Sequence, residues 1–472
     1  MNPAPAGRLA SLDLFRGATM ASMILVNNAG SWQHVYPPLL HAEWHGWTFT
    51  DTVFPFFLWI VGVAITLATA RRVEQGQSRR ALLGHAARRA AILFALGLFL
   101  TLFPGFKLEG LRIPGVLQRI AICYLLATLI FLHSSWRAQA AWIVGLFASY
   151  WIMMRFYPVP GCGAGSLTMD CNFARYVDGL FLQGHMYART KDWDPEGIVS
   201  TIPALGTTLL GVLAGHLMRL RLPPRERIGR LVFYGCLLAA AGLLLEPFMP
   251  INKLLWTVPY ALLMAGLSYV ALAAWEAVAQ APRVARWFRP FEIVGMNAIA
   301  MYLLSGVLGD VAAVTGARQR IFEAFSSFAA PRNASLMYAL LMVVLCTLAA
   351  WGMWRGAPAG GVSGGERVGP PMMVMAMAER VAAPVPMAMA VGTSPAMIEK
   401  VVIRMGRRRM RLASRMASRS GTPSLSRRFM ASIWRMPFFL TMPSRRRTPR
   451  AENRFIERPV RWRRSRAKGT ER

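Results

Sequence analysis

The sequence predicts an all-α fold, a polytopic membrane helix bundle of about ten transmembrane helices with both termini in the cytoplasm. Three observations predict it. Hydrophobic residues make up 55 % of the chain and charged residues only 16 %, a balance that two or three soluble domains would not carry. The apolar residues come in long blocks parted by short basic or glycine-proline breaks, as membrane spans do. Thr52 to Ala70 is a run of 19 residues without an ionisable side chain, enough to cross the hydrocarbon core as one helix.

Taken in order, the blocks lie over 14–32, 52–70, 88–105, 115–133, 138–157, 200–218, 230–248, 254–275, 291–309 and 335–354. Each is close to the roughly 20 residues that a helix needs to span hydrocarbon. Lys and Arg in the short connections set the orientation. Arg71, Arg72, Arg79, Arg80, Arg88 and Arg89 surround the break after the second block. Arg219, Arg221, Arg225, Arg227 and Arg230 follow the sixth, and Arg283, Arg286 and Arg289 the eighth. The stretch from Gln33 to Thr50 has no Lys or Arg. Both termini are therefore expected in the cytoplasm and His41 on the opposite side, which an even number of spans allows.

The net charge of +32 is unevenly placed, for residues 356–472 hold 25 Lys/Arg against 6 Asp/Glu. Without zinc-ligand spacing or interleaved basic and aromatic residues, this excess points to cytoplasmic loops and excludes nucleic acid as a partner. The opening MNPAPAGRLASLDLFRG is too polar for a cleavable signal peptide, so the first apolar run is expected to be retained. Beyond Trp354 the composition turns to Arg, Met, Pro and Ser, with no Asp, Cys, His or Tyr. The division expected is a transmembrane domain over 1–355 and a basic tail over 356–472. That tail is read either as disordered chain able to touch anionic lipid or as the product of a frameshift near Gly356.

Two outer connections are long enough to build a site. Ser31–Asp51 is rich in aromatics (Trp32, Tyr36, Trp44, Trp47), and Pro158–Ile198 contains WDPEG, Trp193 to Gly197. Tryptophans there also suit a membrane interface. Cys162 and Cys171 share the second connection and are a candidate disulfide if it lies outside the cytoplasm. Cys123, Cys236 and Cys346 fall inside apolar blocks and read as packing residues.

Several polar residues sit where lipid makes them costly. Asp13 and Arg16 open the first span, either neutralising each other or offering Arg16 to an anionic ligand from the cytoplasm. Asn27 and Asn28 near its outer end are either interhelical hydrogen-bonding groups or an amide that polarises a carbonyl. His41 and His45 precede the second span, and imidazole titrates near neutrality, which makes it the usual general base. The spacing His41-x-x-x-His45 without a third ligand is weak for a metal, and none is expected. Arg112, Gln118 and Arg119 lie at or within the start of the fourth span, where a buried arginine must face protein or a cavity. Asn297 lies within the ninth span. Asp194 and Glu196 are placed to cap the sixth.

Together SLDLFRG, VNNAG, HAEWHGWTFTDTVFPFFLWIVG, RIPGVLQRIAICY, WDPEGIVSTIPALGTTLLGVLAG and GMNAIAMYLLS resemble the heparan-α-glucosaminide N-acetyltransferase family and its bacterial membrane homologues. They occur in the family's order over residues 8 to about 310. The resemblance implies a multi-pass enzyme of the bacterial inner membrane that takes acetyl from cytoplasmic acetyl-CoA, its co-substrate. The acetyl group would go to the amine of a terminal glucosamine on the far side. The family's catalytic histidine matches His41 and its active-site asparagine matches Asn27. The family often has Asn or His at position 45, so catalysis is not carried onto His45. Trp44, Asp51, Arg112, Gln118, Arg119 and Asn297 are the candidates for binding the acceptor, and Arg16 for the cofactor. The partners expected are an amino-sugar or glycan acceptor and the lipid bilayer, with a homodimer admitted. The tail departs from the family, whose members end soon after the last span. The competing readings are a transporter of a sugar or anion, and O-acylation of an envelope glycan.

Overall fold

The computed structural model describes residues 9–355. The expected tail over 356–472 lies outside the described residues.

The chain enters as α1 (Ala10–Asn27), then crosses a non-helical segment with one short 3₁₀ turn, Pro37–Leu39, before α2 (Phe49–Glu74). α3 (Arg79–Leu102), α4 (Val116–His133) and α5 (Trp136–Phe156) follow. A long connection then holds the two-residue strands Pro158–Val159 and Gly163–Ala164, paired antiparallel, and α6 (Phe173–Phe181). α7 (Ile198–Arg219), α8 (Pro224–Leu245) and α9 (Val258–Ala279) form the next part of the bundle. They lead to α10 (Pro282–Ala285), α11 (Arg289–Met296), α12 (Ala298–Val314), α13 (Ala317–Ser326) and α14 (Pro331–Arg355).

Each expected span falls on helix, but the ten are not alike. Among the described residues, seven helices are long and apolar enough to cross a membrane: α2, α3, α4, α7, α8, α9 and α14. The pair α11 and α12, bent by 87° at Asn297, has the length and apolarity of an eighth if the two are taken as one span. Asn297 is therefore not inside one helix, as expected, but at a break. Its Nδ2 donates to Ile293 O at 3.2 Å. The two remaining expected spans are α1 and α5, whose ends carry Asp13 and Arg16 in one and Arg137 and Arg155 in the other.

Glycine sets how closely the central helices approach. A Cβ on Gly62 of α2 would fall 1.9 Å from Thr208 O, and one on Gly211 of α7 would fall 2.1 Å from Trp59 O. Thr66 Oγ1 then donates across the same contact to Val212 O at 2.9 Å. In lipid, where apolar surface gains little by leaving hydrocarbon, such close backbone contact and interhelical hydrogen bonding hold helices together. α1 and α11 meet in the same way, through Gly17 and Gly295.

Hydrogen bonds and ion pairs between segments sort the connections into two ends. At one end, Trp44 Nε1 donates to Leu167 O at 2.9 Å, Gly46 N to Ile251 O at 2.7 Å, and Ile113 N to His185 O at 2.9 Å. At the other, Arg227 pairs with Glu276 at 2.9 Å, and Arg219 pairs with Glu74. The segments 28–48, 103–115, 157–197 and 246–257 thus share one end, as the alternation of helix directions requires. Within it Cys162 and Cys171 are disulfide-bonded, with Cα atoms 6.0 Å apart. Cys123 and Cys346 are buried, whereas Cys236 is exposed on α8 and is not a packing residue.

Candidate active site

The start of α2 fixes the central carboxylate. Thr48 and Asp51 form a capping box, in which Thr48 N donates to Asp51 Oδ2 at 3.0 Å. Such reciprocal bonding satisfies N–H groups that a helix start leaves without partners. Ala42 N donates to the same oxygen at 3.0 Å, so the helix cap also pins the segment that carries His41. Four residues on, Pro55 has no N–H to offer the Asp51 carbonyl. Tyr260 OH takes that place, donating to Asp51 O at 2.6 Å. Asp51 is fully buried, and each of its oxygens has a defined donor.

Its other carboxylate oxygen, Oδ1, lies 2.7 Å from His41 Nδ1. The His41 side chain is 51 % exposed while that of Asp51 is 1 % exposed. In the tautomer whose Nδ1 proton faces this carboxylate, Nε2 is the basic nitrogen. A third group completes the cluster. Lys253 Nζ stands 3.3 Å from Asp51 Oδ1, 2.9 Å from His41 Nδ1 and 3.3 Å from His41 Nε2. Burial pushes the Lys253 pKa below the usual lysine range, and the carboxylates of Asp51 and Glu196 pull against that.

The turn that delivers Lys253 is tightly built. Asn252 Oδ1 accepts from Leu255 N at 2.9 Å, and Thr257 Oγ1 accepts from Asn252 N at 3.0 Å. Trp256 then adopts φ +53°, a left-handed conformation uncommon for a bulky residue. It is held there by its Nε1 donating to Thr207 Oγ1 at 3.1 Å, with the rings of Phe54 and Tyr260 edge-on at 5.3 and 5.4 Å. Asn252 Nδ2 also reaches His45 Nδ1 at 3.3 Å. Burial lowers the pKa of His45, and its partner is this turn and not Asp51.

Beside this cluster lies a second one, built on WDPEG. Arg112 donates to both oxygens of Asp194, at 2.8 and 2.6 Å, and to Glu196 Oε2 at 2.5 Å. Its guanidinium lies 4.6 Å from the centroid of the Tyr187 ring. Burial opposes its charge, but the hydrogen bonds to Asp194 and the charge of Glu196 outweigh that and raise its pKa. Asp194 and Glu196 do not cap α7, contrary to expectation. Asp178 from α6 does so, accepting from Ile198 N at 2.9 Å and Asp194 N at 3.2 Å. Burial raises the Asp178 pKa to about 6 against these bonds. Arg119 is fully buried and donates to Pro195 O at 2.8 Å and Ser200 Oγ at 2.5 Å, with the Trp256 ring 5.1 Å from its Cζ.

The other sequence candidates divide. Trp44 is half-buried, edge-on to Trp193 at 5.5 Å, so it braces the two outer segments. Gln118 is buried in a notch between Gly97 and Gly115. Asn27 is exposed at the end of α1 and, among the described residues, makes no side-chain hydrogen bond. Asn28 beside it is buried and donates to Ile24 O at 2.8 Å. Arg16 is at the opposite end of the bundle, with Nη1 3.1 Å from Asp13 Oδ1 and 3.4 Å from Gly295 O. The structure thus joins His41 directly to Asp51 and leaves Arg16 remote from both. Among the described residues no cluster of three or more His, Cys, Asp or Glu could hold a metal ion.

Lys253 is the residue that the sequence reading missed. Its signal was present: INKLLW puts a lysine at the end that holds His41, just ahead of an apolar run. That end also carries Lys107, Arg112, Arg175, Arg189 and Lys191, so the charge pattern alone did not single it out.

A family model described as heparan-α-glucosaminide N-acetyltransferase, catalytic, matches residues 8–231. The heparan-α-glucosaminide N-acetyltransferase of Homo sapiens is 29 % identical over 355 residues, covering 63 % of this chain and 52 % of that protein. The protein of the same name from Mus musculus is 30 % identical over 362 residues, covering 64 % and 54 %. The chain therefore spans about half the length of the curated relatives it matches. Residues 8–231 thus resemble the catalytic part of the heparan-α-glucosaminide N-acetyltransferases, to which the chain is similar at about 30 % identity.

Proposed function

We propose that this chain is an integral membrane acetyltransferase. It moves acetyl from cytoplasmic acetyl-CoA to the amine of a glucosamine-type sugar on the opposite, periplasmic side of a bacterial inner membrane. The observation that carries the reading is the exposed imidazole of His41 with its Nδ1 held 2.7 Å from buried Asp51. An amine attacks a thioester only as its unprotonated form, so transfer needs a base with a free lone pair and access to solvent. In this reading His41 Nε2 removes the proton, the amine nitrogen bonds to the acetyl carbon, and the carbon–sulfur bond breaks. The thiolate of CoA then takes the proton back. Asn27 orients the acetyl carbonyl or the acceptor as charge gathers on oxygen.

Sidedness is supported from both ends. The disulfide Cys162–Cys171 shares an end with His41, and disulfides persist in oxidising compartments. The opposite end carries exposed Arg79, Arg80, Arg221 and Arg225, which suit a cytoplasmic face and the phosphates of CoA. CoA is too highly charged to cross hydrocarbon, so the thioester arm must reach through the protein while the nucleotide stays behind.

The test is thiol release by the purified protein in nanodiscs, with acetyl-CoA and a panel of amino sugars. CoA freed only when an amino sugar is present supports the reading; no release with any sugar removes it. Product bonded through oxygen, which alkaline hydroxylamine cleaves where an amide resists, would instead assign O-acylation. One observation favours a transporter, the 87° break at Asn297, since interrupted helices line transport paths. Uptake of labelled sugar into proteoliposomes without CoA release would establish that alternative.

A further inference from the structure

Lys253 has no place in the chemistry above, yet its Nζ touches both partners of the His41–Asp51 pair. Its side chain is 13 % exposed, so it is a built part of the wall and not a mobile surface lysine. The turn holding it is fixed by Asn252, Thr257 and the left-handed Trp256.

The charges around His41 come from three directions. Asp51 is on α2, Lys253 on the segment 246–257, and Glu43 and His45 on the segment of His41 itself, where both are exposed. Glu196 and Arg119 lie within electrostatic reach of Lys253. Among the described residues, Asp51 and Lys253 are the hydrogen-bonding partners of the imidazole. A lone carboxylate beside a histidine favours the imidazolium, because the pair then closes as an ion pair. A histidine trapped in that form has no lone pair with which to take a proton.

We infer that Lys253 is a positioning residue for His41: its ammonium supplies the cation that matches Asp51, so that His41 stays an uncharged base. One carboxylate balances one cation. With Lys253 in place, a charged imidazole would put a second positive charge within 3.3 Å of the first, which like-charge repulsion opposes. Asp51 then orients the ring without holding a proton on it. The inference deepens the proposed function and rests on His41 acting there as a base.

The experiment reads His41 directly. Diethyl pyrocarbonate acylates only unprotonated imidazole, so mass spectrometry of the His41 peptide across pH gives the pH at which the ring becomes reactive. In full-length protein in nanodiscs, Lys253→Met should raise that pH by about one unit, the low end of what a neighbouring charge does. Lys253→Arg, which keeps the charge, should stay near wild type. The acidic limb of kcat/KM should move with it while KM for the sugar does not. Lys253→Gln is read in the same way if the methionine variant does not fold. Folding is checked by the intact Cys162–Cys171 bridge. A reactive pH unchanged in folded Lys253→Met or Lys253→Gln, or shifted equally in Lys253→Arg, overturns the inference. Because the probe needs no turnover, it separates from the proposed function. A wild type that frees no CoA removes that function alone, and an unmoved midpoint removes only the role of Lys253.

Discussion

Asp51 Oδ1 lies 2.7 Å from His41 Nδ1, although one residue is sealed in the bundle and the other is half exposed. The contact exists because Asp51 is also the N3 residue of α2, where its second oxygen is occupied by Thr48 N and Ala42 N. Helix capping and imidazole orientation are thus done by one carboxylate. Asp51→Asn keeps the shape but presents a neutral amide to Nδ1. Its kcat should fall roughly a hundredfold or more, the scale of losing an effective general base. Steady-state kinetics check this; a wild-type kcat in folded Asp51→Asn would detach the carboxylate from the chemistry.

Arg112 carries a structural load. Its fork is the partner of Asp194, whose side chain is 0 % exposed. Arg112→Ala leaves that carboxylate buried without its cation and should cost about 3 kcal/mol. It would be seen as a lowered thermal midpoint in detergent. Arg112→Lys keeps a charge without the bidentate geometry and should recover only part of the loss.

Asp178 makes stability depend on pH with a defined sign. Burial raises its pKa from 3.8 to about 6, so the folded protein binds this proton more tightly than the unfolded chain. The contribution is fully present below about pH 3.8 and is lost as pH rises through about 6. Relative to Asp178→Asn, the wild type should lose stability between pH 4 and 7. Denaturation of both proteins at several pH values measures the difference; a constant gap would contradict it.

Sidedness can be read from labelling. Single cysteines at Gln33 and Gln77, in a cysteine-free background, should differ toward an impermeant maleimide on intact cells, with position 33 labelled and 77 protected. In the native chain, Cys162 and Cys171 should resist alkylation until reduced. Equal labelling, or both native thiols alkylated without reduction, would overturn the orientation.

The helices were legible because lipid imposes one crude rule on every span: about twenty apolar residues with their backbone bonds satisfied internally. Thr52–Ala70 obeys it, and α2 follows. The break at Asn297 was not legible, because 291–309 is mostly apolar and a single amide within it does not by itself mark an 87° bend. His41 was singled out by its chemistry and its motif, and the structure adds its contact with Asp51. The Thr48–Asp51 capping box was readable as Thr-x-x-Asp ahead of an apolar run and was passed over. Lys253 was hidden by distance, since 212 residues separate it from His41 and only the bundle brings them together. Asp194 and Glu196 were assigned to a nearby helix start because local capping is the commoner use of such residues. The arginine that claims them lies 82 and 84 residues away.

The central claim is that His41 is the base for acetyl transfer, and CoA release by His41→Ala tests it most directly. With acetyl-CoA and glucosamine, the variant should turn over on the order of a hundredfold or more slower than wild type while still binding acetyl-CoA. Asn27→Ala should lose less and His45→Ala least. Turnover by His41→Ala at the wild-type rate would contradict the account.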